Sequence, residues 1–123
     1  MELNLLLWLL ERPLHLRLLL AAYYYEKFKG KPPYTRQLLR LVGGSGSSEV
    51  TRKVEALDNL ARLNLIERYK DYEIIGKRKV PVVRNRVTEL GKLVIKFIEQ
   101  LDKGVVVQKL SAELGRGTGE KWG

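Results

Sequence analysis

The sequence predicts a mainly α-helical domain carrying one small β-hairpin. Three observations predict it: apolar residues recur at helical spacing in five stretches, two Ile-, Tyr- and Val-rich extended stretches flank Gly76-Lys77-Arg78-Lys79, and Gly or Pro marks most boundaries. At 123 residues and 45% hydrophobic content the chain can build one compact core. The expected plan is an apolar helical extension over 1–12, a domain over 13–103 that includes a long last helix, and a C-terminal extension and flexible tail over 104–123.

Glu2 to Leu10 is helix-compatible and apolar nearly all round, which points to burial against a second copy. Pro13 suits a first helical position, and Leu14, Leu18, Ala21, Ala22 and Tyr25 carry a helix to Lys29-Gly30. After the Pro32-Pro33 loop, Thr35 is placed to cap a short helix containing Leu38, Leu39 and Val42, which Gly43-Gly44 ends. Ser47 or Ser48 is placed to cap the next helix, about 48–63. Val50, Val54, Leu57 and Ala61 form its expected core stripe, leaving Ser48, Thr51, Arg52, Glu55, Asn59 and Arg62 outward. Asn64 suits a left-handed residue at the helix end. Strands are expected over Leu65–Ile75 and Val80–Val87, the second with Arg84 and Arg86 on a charged face. Thr88 caps a last helix through Leu90, Leu93, Val94, Phe97, Ile98 and Leu101 to about Lys103. Residues 105–114 have room for one short element, and the glycine-rich end from Gly115 has little to pack.

The formal charge is +9 with a pI near 9.9, and it is unevenly spread. Residues 31–70 hold eight basic against four acidic side chains and residues 71–88 five against two, so contact with a polyanion is expected in the middle of the chain, against the plainer reading of a solvated surface. The absence of cysteine removes disulfides and thiolate chemistry. Leu3 to Leu10 is too short to span a bilayer and lacks a basic segment ahead of it, so a cytoplasmic protein with no membrane partner is expected. No carboxylate pair, metal-ligand cluster or nucleophile arrangement stands out. Accordingly no enzyme activity, metal or cofactor is expected. His15, the single histidine, reads as a packed residue, and the Gly43–Gly46 turn lacks the lysine and hydroxyl spacing of a phosphate-cradling loop.

The order of elements, with Tyr34–Val42, Ser47–Leu57, Leu60–Arg68 and Arg86–Lys92, resembles a winged helix-turn-helix domain, similar to the prokaryotic MarR and PadR regulators, with extra N- and C-terminal helices. The likeness covers about 13–103. It departs in its glycine-rich turn and in the length of Leu65–Val87. The resemblance implies double-stranded DNA as the partner, a major-groove recognition helix over about 48–63 and a basic wing over about 65–87.

Ser47, Ser48 and the free N–H groups beside them suit a phosphate, and Thr51 stands within reach of base edges. Arg52 suits a guanine edge through its two-pronged donor geometry. Lys53 and Arg62 are assigned to phosphates, and Arg36 and Arg40 to flanking positions on the preceding helix. Lys77, Arg78 and Lys79 at the hairpin tip, with Arg84 and Arg86 along its strand, are assigned to backbone or minor groove. The expected protein is a homodimeric transcription regulator, paired through its apolar N-terminal segment and its C-terminal helix. A sequence-tolerant chromatin protein and a winged helix used for protein assembly are the alternatives, and no effector is indicated.

Overall fold

A computed structural model describes residues 3–43 and 46–101, excepting the side chains of Leu3 and Ser47. The expectations for Gly44, Ser45 and 104–123, and for a phosphate on the Ser47 hydroxyl, lie outside the described residues. The chain divides into two compact units, Met1–Lys92 and Leu93–Gly123.

The first unit holds helices α1 (Leu3–Leu10), α2 (Pro13–Lys29), α3 (Thr35–Leu41) and α4 (Ser47–Arg62), followed by strands β1 (Ile66–Ile75) and β2 (Arg78–Val87). A further helical stretch, 89–101, begins in it and continues through the described part of the second unit. In that part Val94 and Ile95 are buried, whereas Leu93, Phe97 and Leu101, spaced by four, stand exposed together. The expected apolar repeat therefore has a buried member, Val94, and an exposed row, Leu93, Phe97 and Leu101. This is the mainly α architecture with a small hairpin that the sequence predicts.

Local chemistry explains the boundaries. Pro13 opens α2, and Gly30, at φ 83°, closes it by donating its N–H to the Glu26 carbonyl. At α3 the cap is Tyr34, not Thr35: the Gln37 side chain reaches back to accept from the Tyr34 N–H at 3.0 Å, which frees the Thr35 hydroxyl for other contacts. Gly46 occupies the cap position of α4, and Ser47 and Ser48, expected there, are its first two helical residues. Asn64 takes the left-handed conformation at φ 62°. Thr88 caps the helix over 89–101, accepting the Gly91 N–H at 3.0 Å. Gly91 itself lies where a Cβ would come within 2.3 Å of the Leu65 carbonyl oxygen, so only glycine lets this helix start so close to the chain leaving α4.

The core of the first unit is made by Leu6 and Leu9 of α1, Leu18, Leu19 and Ala22 of α2, Leu38 of α3, and Ala56, Leu57 and Leu60 of α4, with Leu65, Ile66 and Val87 beneath. The buried face of α4 is thus Lys53-Ala56-Leu57-Leu60, rotated from the expected stripe, and Val50 is 40% exposed. A charged residue inside that face hid it from a hydrophobicity pattern. Asn59, expected outward, is half-buried and donates to Nε2 of His15 on α2 at 3.2 Å. Burial, and then the nearby Arg12 charge, lower the His15 pKa and favour the neutral ring that this bond needs.

The strands pair antiparallel without a bulge, from Ile66↔Val87 to Ile75↔Arg78. The turn is only Gly76-Lys77, with Gly76 at φ 65°, so Arg78 and Lys79 belong to the ladder rather than to the tip loop. The Asn85 N–H points away from β1 and donates to the Pro33 carbonyl at 2.9 Å, beside a bridge between Tyr34 and Arg84. By the period of two, Pro81 occupies the same outward-pointing phase, where a missing N–H removes nothing from the β1–β2 ladder.

Candidate nucleic-acid interface

The hairpin is an arm whose two faces differ in charge. Directly opposed residues of an antiparallel pair share a face, so one face carries Arg68, Lys70, Tyr72 and Ile74 of β1 with Lys79, Pro81, Val83 and Asn85 of β2. It has no acidic residue. The other carries Glu67, Asp71 and Glu73 with Arg78, Arg84 and Arg86.

On this balanced face Arg84 is 4% exposed, and its guanidinium donates to Asp71 at 2.8 Å, to Glu73 at 2.6 Å and to the Pro32 carbonyl at 2.8 Å. Arg86 pairs with Glu67 at 2.7 Å, and Lys31 lies 3.8 Å from Glu73. Hydrogen bonds from Arg84 hold the Asp71 and Glu73 carboxyls below their ordinary pKa values. Burial opposes the Arg84 charge, yet its hydrogen bonds to these carboxylates outweigh that and raise its pKa. The acids of the arm are therefore all consumed on one side.

On the acid-free face the arm is fastened to the helices at its base. Arg68 donates to Asn85 Oδ1 at 2.9 Å, to Asp58 of α4 at 2.7 Å and to the Thr35 hydroxyl of α3 at 2.9 Å. Asn85 is fully buried, and its amide donates to the Pro33 carbonyl and to Thr35. Charge-assisted bonds that satisfy every partner make such a junction stiff. Asp58 lies on the exposed stripe Thr51, Glu55, Asp58 and Arg62 of α4, so this stripe and the acid-free face of the arm meet at the Arg68–Asp58 pair. Beyond it Lys70, Tyr72, Ile74 and Lys79 stand in solvent, with the Lys79 ammonium 4.8 Å from the Tyr72 ring centre.

Two grooves border α3. One of about 810 Å³ runs between α3 and the start of α4 and is lined by Arg36, Leu39, Arg40, Gly46 and Val50. The other, of about 290 Å³, lies between the start of α3 and the arm residues Ile75 and Val80 to Val83. Thr35 and Arg36 line both, so Arg36 stands at the junction of helix pair and arm.

Eleven of the thirteen residues singled out in the sequence remain candidates, to different degrees. Arg36, Arg40, Ser48, Thr51, Arg62, Lys77, Arg78 and Lys79 are exposed, and the six cations among them form no ion pair with another described residue. Ser47 begins α4. Arg52 is exposed and pairs with Glu49 one turn earlier at 3.1 Å. Arg86 is engaged by Glu67 on the balanced face.

Two assignments are corrected. Lys53 is 1% exposed, and its ammonium donates to the carbonyls of Leu39, at 3.1 Å, and Gly43. It caps the negative end of α3 from within and cannot reach a phosphate. Arg84 is the other, since its guanidinium is filled by Asp71, Glu73 and Pro32. With Lys53 inside, the remaining charges of α4 are Arg52 and Arg62 against Glu49, Glu55 and Asp58, so positive surface lies on α3 and the arm more than on α4. Sequence reasoning did not single out Lys70 and Tyr72, which are exposed on the acid-free face. The signal was there: in β1 the acids sit at odd positions and the bases at even ones.

A scan against protein-family models, a search of curated proteins and a search of solved structures each returned no match. Among the described residues no group of His, Cys, Asp and Glu is arranged to hold a metal ion, and no helix is long and apolar enough to cross a membrane.

Proposed function

We propose that this chain binds double-stranded DNA as a winged helix-turn-helix protein, with α4 entering the major groove and the arm lying along the neighbouring backbone. The single observation that carries the reading is the segregation of charge on the arm, whose acid-free face runs outward from the ion pair that joins it to the exposed stripe of α4. Duplex DNA presents a negative charge about every 1.7 Å of axis, and a surface cleared of carboxylates along an extended strand suits that repeat. Arg36, Arg40, Lys70, Lys77 and Lys79 neutralise phosphates, with Arg62 and Arg78 at the margins. Ser48, Thr51, Arg52 and Glu55 read base edges, Glu55 through an exocyclic amine donor. Affinity then comes chiefly from α3 and the arm, and selectivity from α4.

Transcription regulation as a homodimer is the form of this reading we favour, with Leu7 and Leu10 of α1, which are 47% and 40% exposed, supplying the apolar contact. The near-neutral surface of α4, together with exposed Leu41 and Val50, favours a second reading in which that surface docks on a protein. Equilibrium binding of the full chain to random and to selected duplexes over a salt series separates them. Five phosphate contacts give a logarithmic salt slope of about −4.5 per chain. A selected site bound about a thousandfold more tightly than random duplex marks a regulator, and a ratio near one marks a chromatin-type protein. Absence of binding at low salt refutes the DNA reading.

A further inference from the structure

The outer end of the arm carries an apolar cluster that phosphate binding does not need. Ile74 is 64% exposed, Tyr72 59% and Ile75 43%. Single exposed apolar residues are ordinary, but Tyr72 and Ile74 stand next to each other on one face beside the turn, while Ile75, on the opposite face, lines the groove against α3. Tyr72 and Ile74 lie on the acid-free face, with Lys79 against the Tyr72 ring, Lys77 in the turn and Arg78 opposite Ile75. A tip of this kind fits a partner with a rim of anions around an apolar interior.

Resting on the DNA-binding reading above, we infer that the arm tip is a wedge: Ile74, supported by Tyr72, enters a base step from the minor groove and kinks the duplex while Lys77 and Lys79 hold the flanking phosphates. Stacked base pairs supply the apolar gap and the two backbones supply the anions. The reach is sufficient, because β1 runs seven residues from the Arg68–Asn85 anchor to Ile75, roughly 23 Å at strand rise, which exceeds half a helical turn of DNA. The two-residue turn keeps the end narrow. An anionic bilayer offers similar chemistry to the tip alone. It offers nothing to the stripe that adjoins the arm, where Glu55 and Asp58 would face anionic headgroups, whereas a major groove presents amine donors to a carboxylate.

The test is energy transfer across an end-labelled 30-base-pair duplex with a central TA step, using the full chain, Ile74→Ala and the conservative Ile74→Met, with binding measured in parallel over a salt series. The expected result is a bend of the order of 20–90° for the unaltered chain and for Ile74→Met, reduced to half or less in Ile74→Ala at saturating protein, with an unchanged salt slope. A duplex bound but left straight, or bent equally by Ile74→Ala, overturns the wedge and leaves DNA binding intact. Failure of the unaltered chain to bind any duplex overturns the DNA reading and the wedge with it. Ile74-dependent binding to phosphatidylserine vesicles in place of duplex assigns the tip to a membrane and likewise overturns it. Equal thermal midpoints for the three proteins show that the differences arise at the tip and not in folding.

Discussion

The two faces of the hairpin have the same strands, the same length and three cations each, yet they use their cations in opposite ways. On one, Arg84 and Arg86 are spent on Asp71, Glu73 and Glu67, and Arg84 also ties the strand to the chain before α3. On the other, only Arg68 is spent, at the base, while Lys70 and Lys79 stay in solvent. A cation count therefore says little about binding. What separates a cation held within the fold from one left in solvent is a carboxylate within reach on its own face. Arg78, on the balanced face but at the turn, has no ion pair among the described residues.

Replacing Lys70, Lys77 and Lys79 together by alanine should have the largest effect. Duplex affinity is expected to fall on the order of a hundredfold at physiological salt and the salt slope to shrink by about 2.7, with the thermal midpoint unmoved. An unchanged slope in a titration would erase the distinction between the faces. Arg84→Met should do the reverse, lowering the thermal midpoint by roughly 10 °C in a calorimetric scan while leaving the salt slope alone, because two carboxylates and the Pro32 carbonyl lose their donor.

Acid should discriminate next. The Asp71 and Glu73 carboxyls have folded pKa values below their ordinary 3.8 and 4.5, so their contribution is present above those values and is lost as pH falls through the lower folded ones. Thermal midpoints of the unaltered chain should begin to drop below about pH 4.5, and Arg84→Met should show a shallower drop; parallel curves would mean that the pairs do not carry the effect. Arg86→Ala should have the smallest consequence, a midpoint change at the edge of detection, since Arg86 and Glu67 are each about half exposed and water replaces their bond.

Much of the fold is legible in the sequence because it rests on local chemistry. Pro13 and Gly30 bound α2, Asn64 takes the left-handed turn, and Thr88 caps the helix that follows, all from propensities that operate within a few residues. The interface is less legible because burial of a cation is decided by partners distant in the chain. Lys53 reads as surface until the end of α3 is seen to aim its carbonyls at it, and Arg84 reads as surface until Pro32 and two carboxylates surround it. Apolar spacing alone set the core stripe of α4 one row away from its place, because Lys53 lies inside the buried face. The parity of acids and bases along β1 needed only a count at period two, and it would have set Lys70 on a face without acids.

A projecting hairpin with isoleucines at its end is the kind of element that zips onto a copy of itself. Pro81 blocks that along β2, because the backbone position it occupies has no proton to offer an incoming strand, and farther down Asn85 has already given its own to Pro33. The arm can thus keep a sticky end in water at high protein concentration without seeding fibrils from that edge, and a residue that looks like a flaw in a strand becomes its guard against self-assembly.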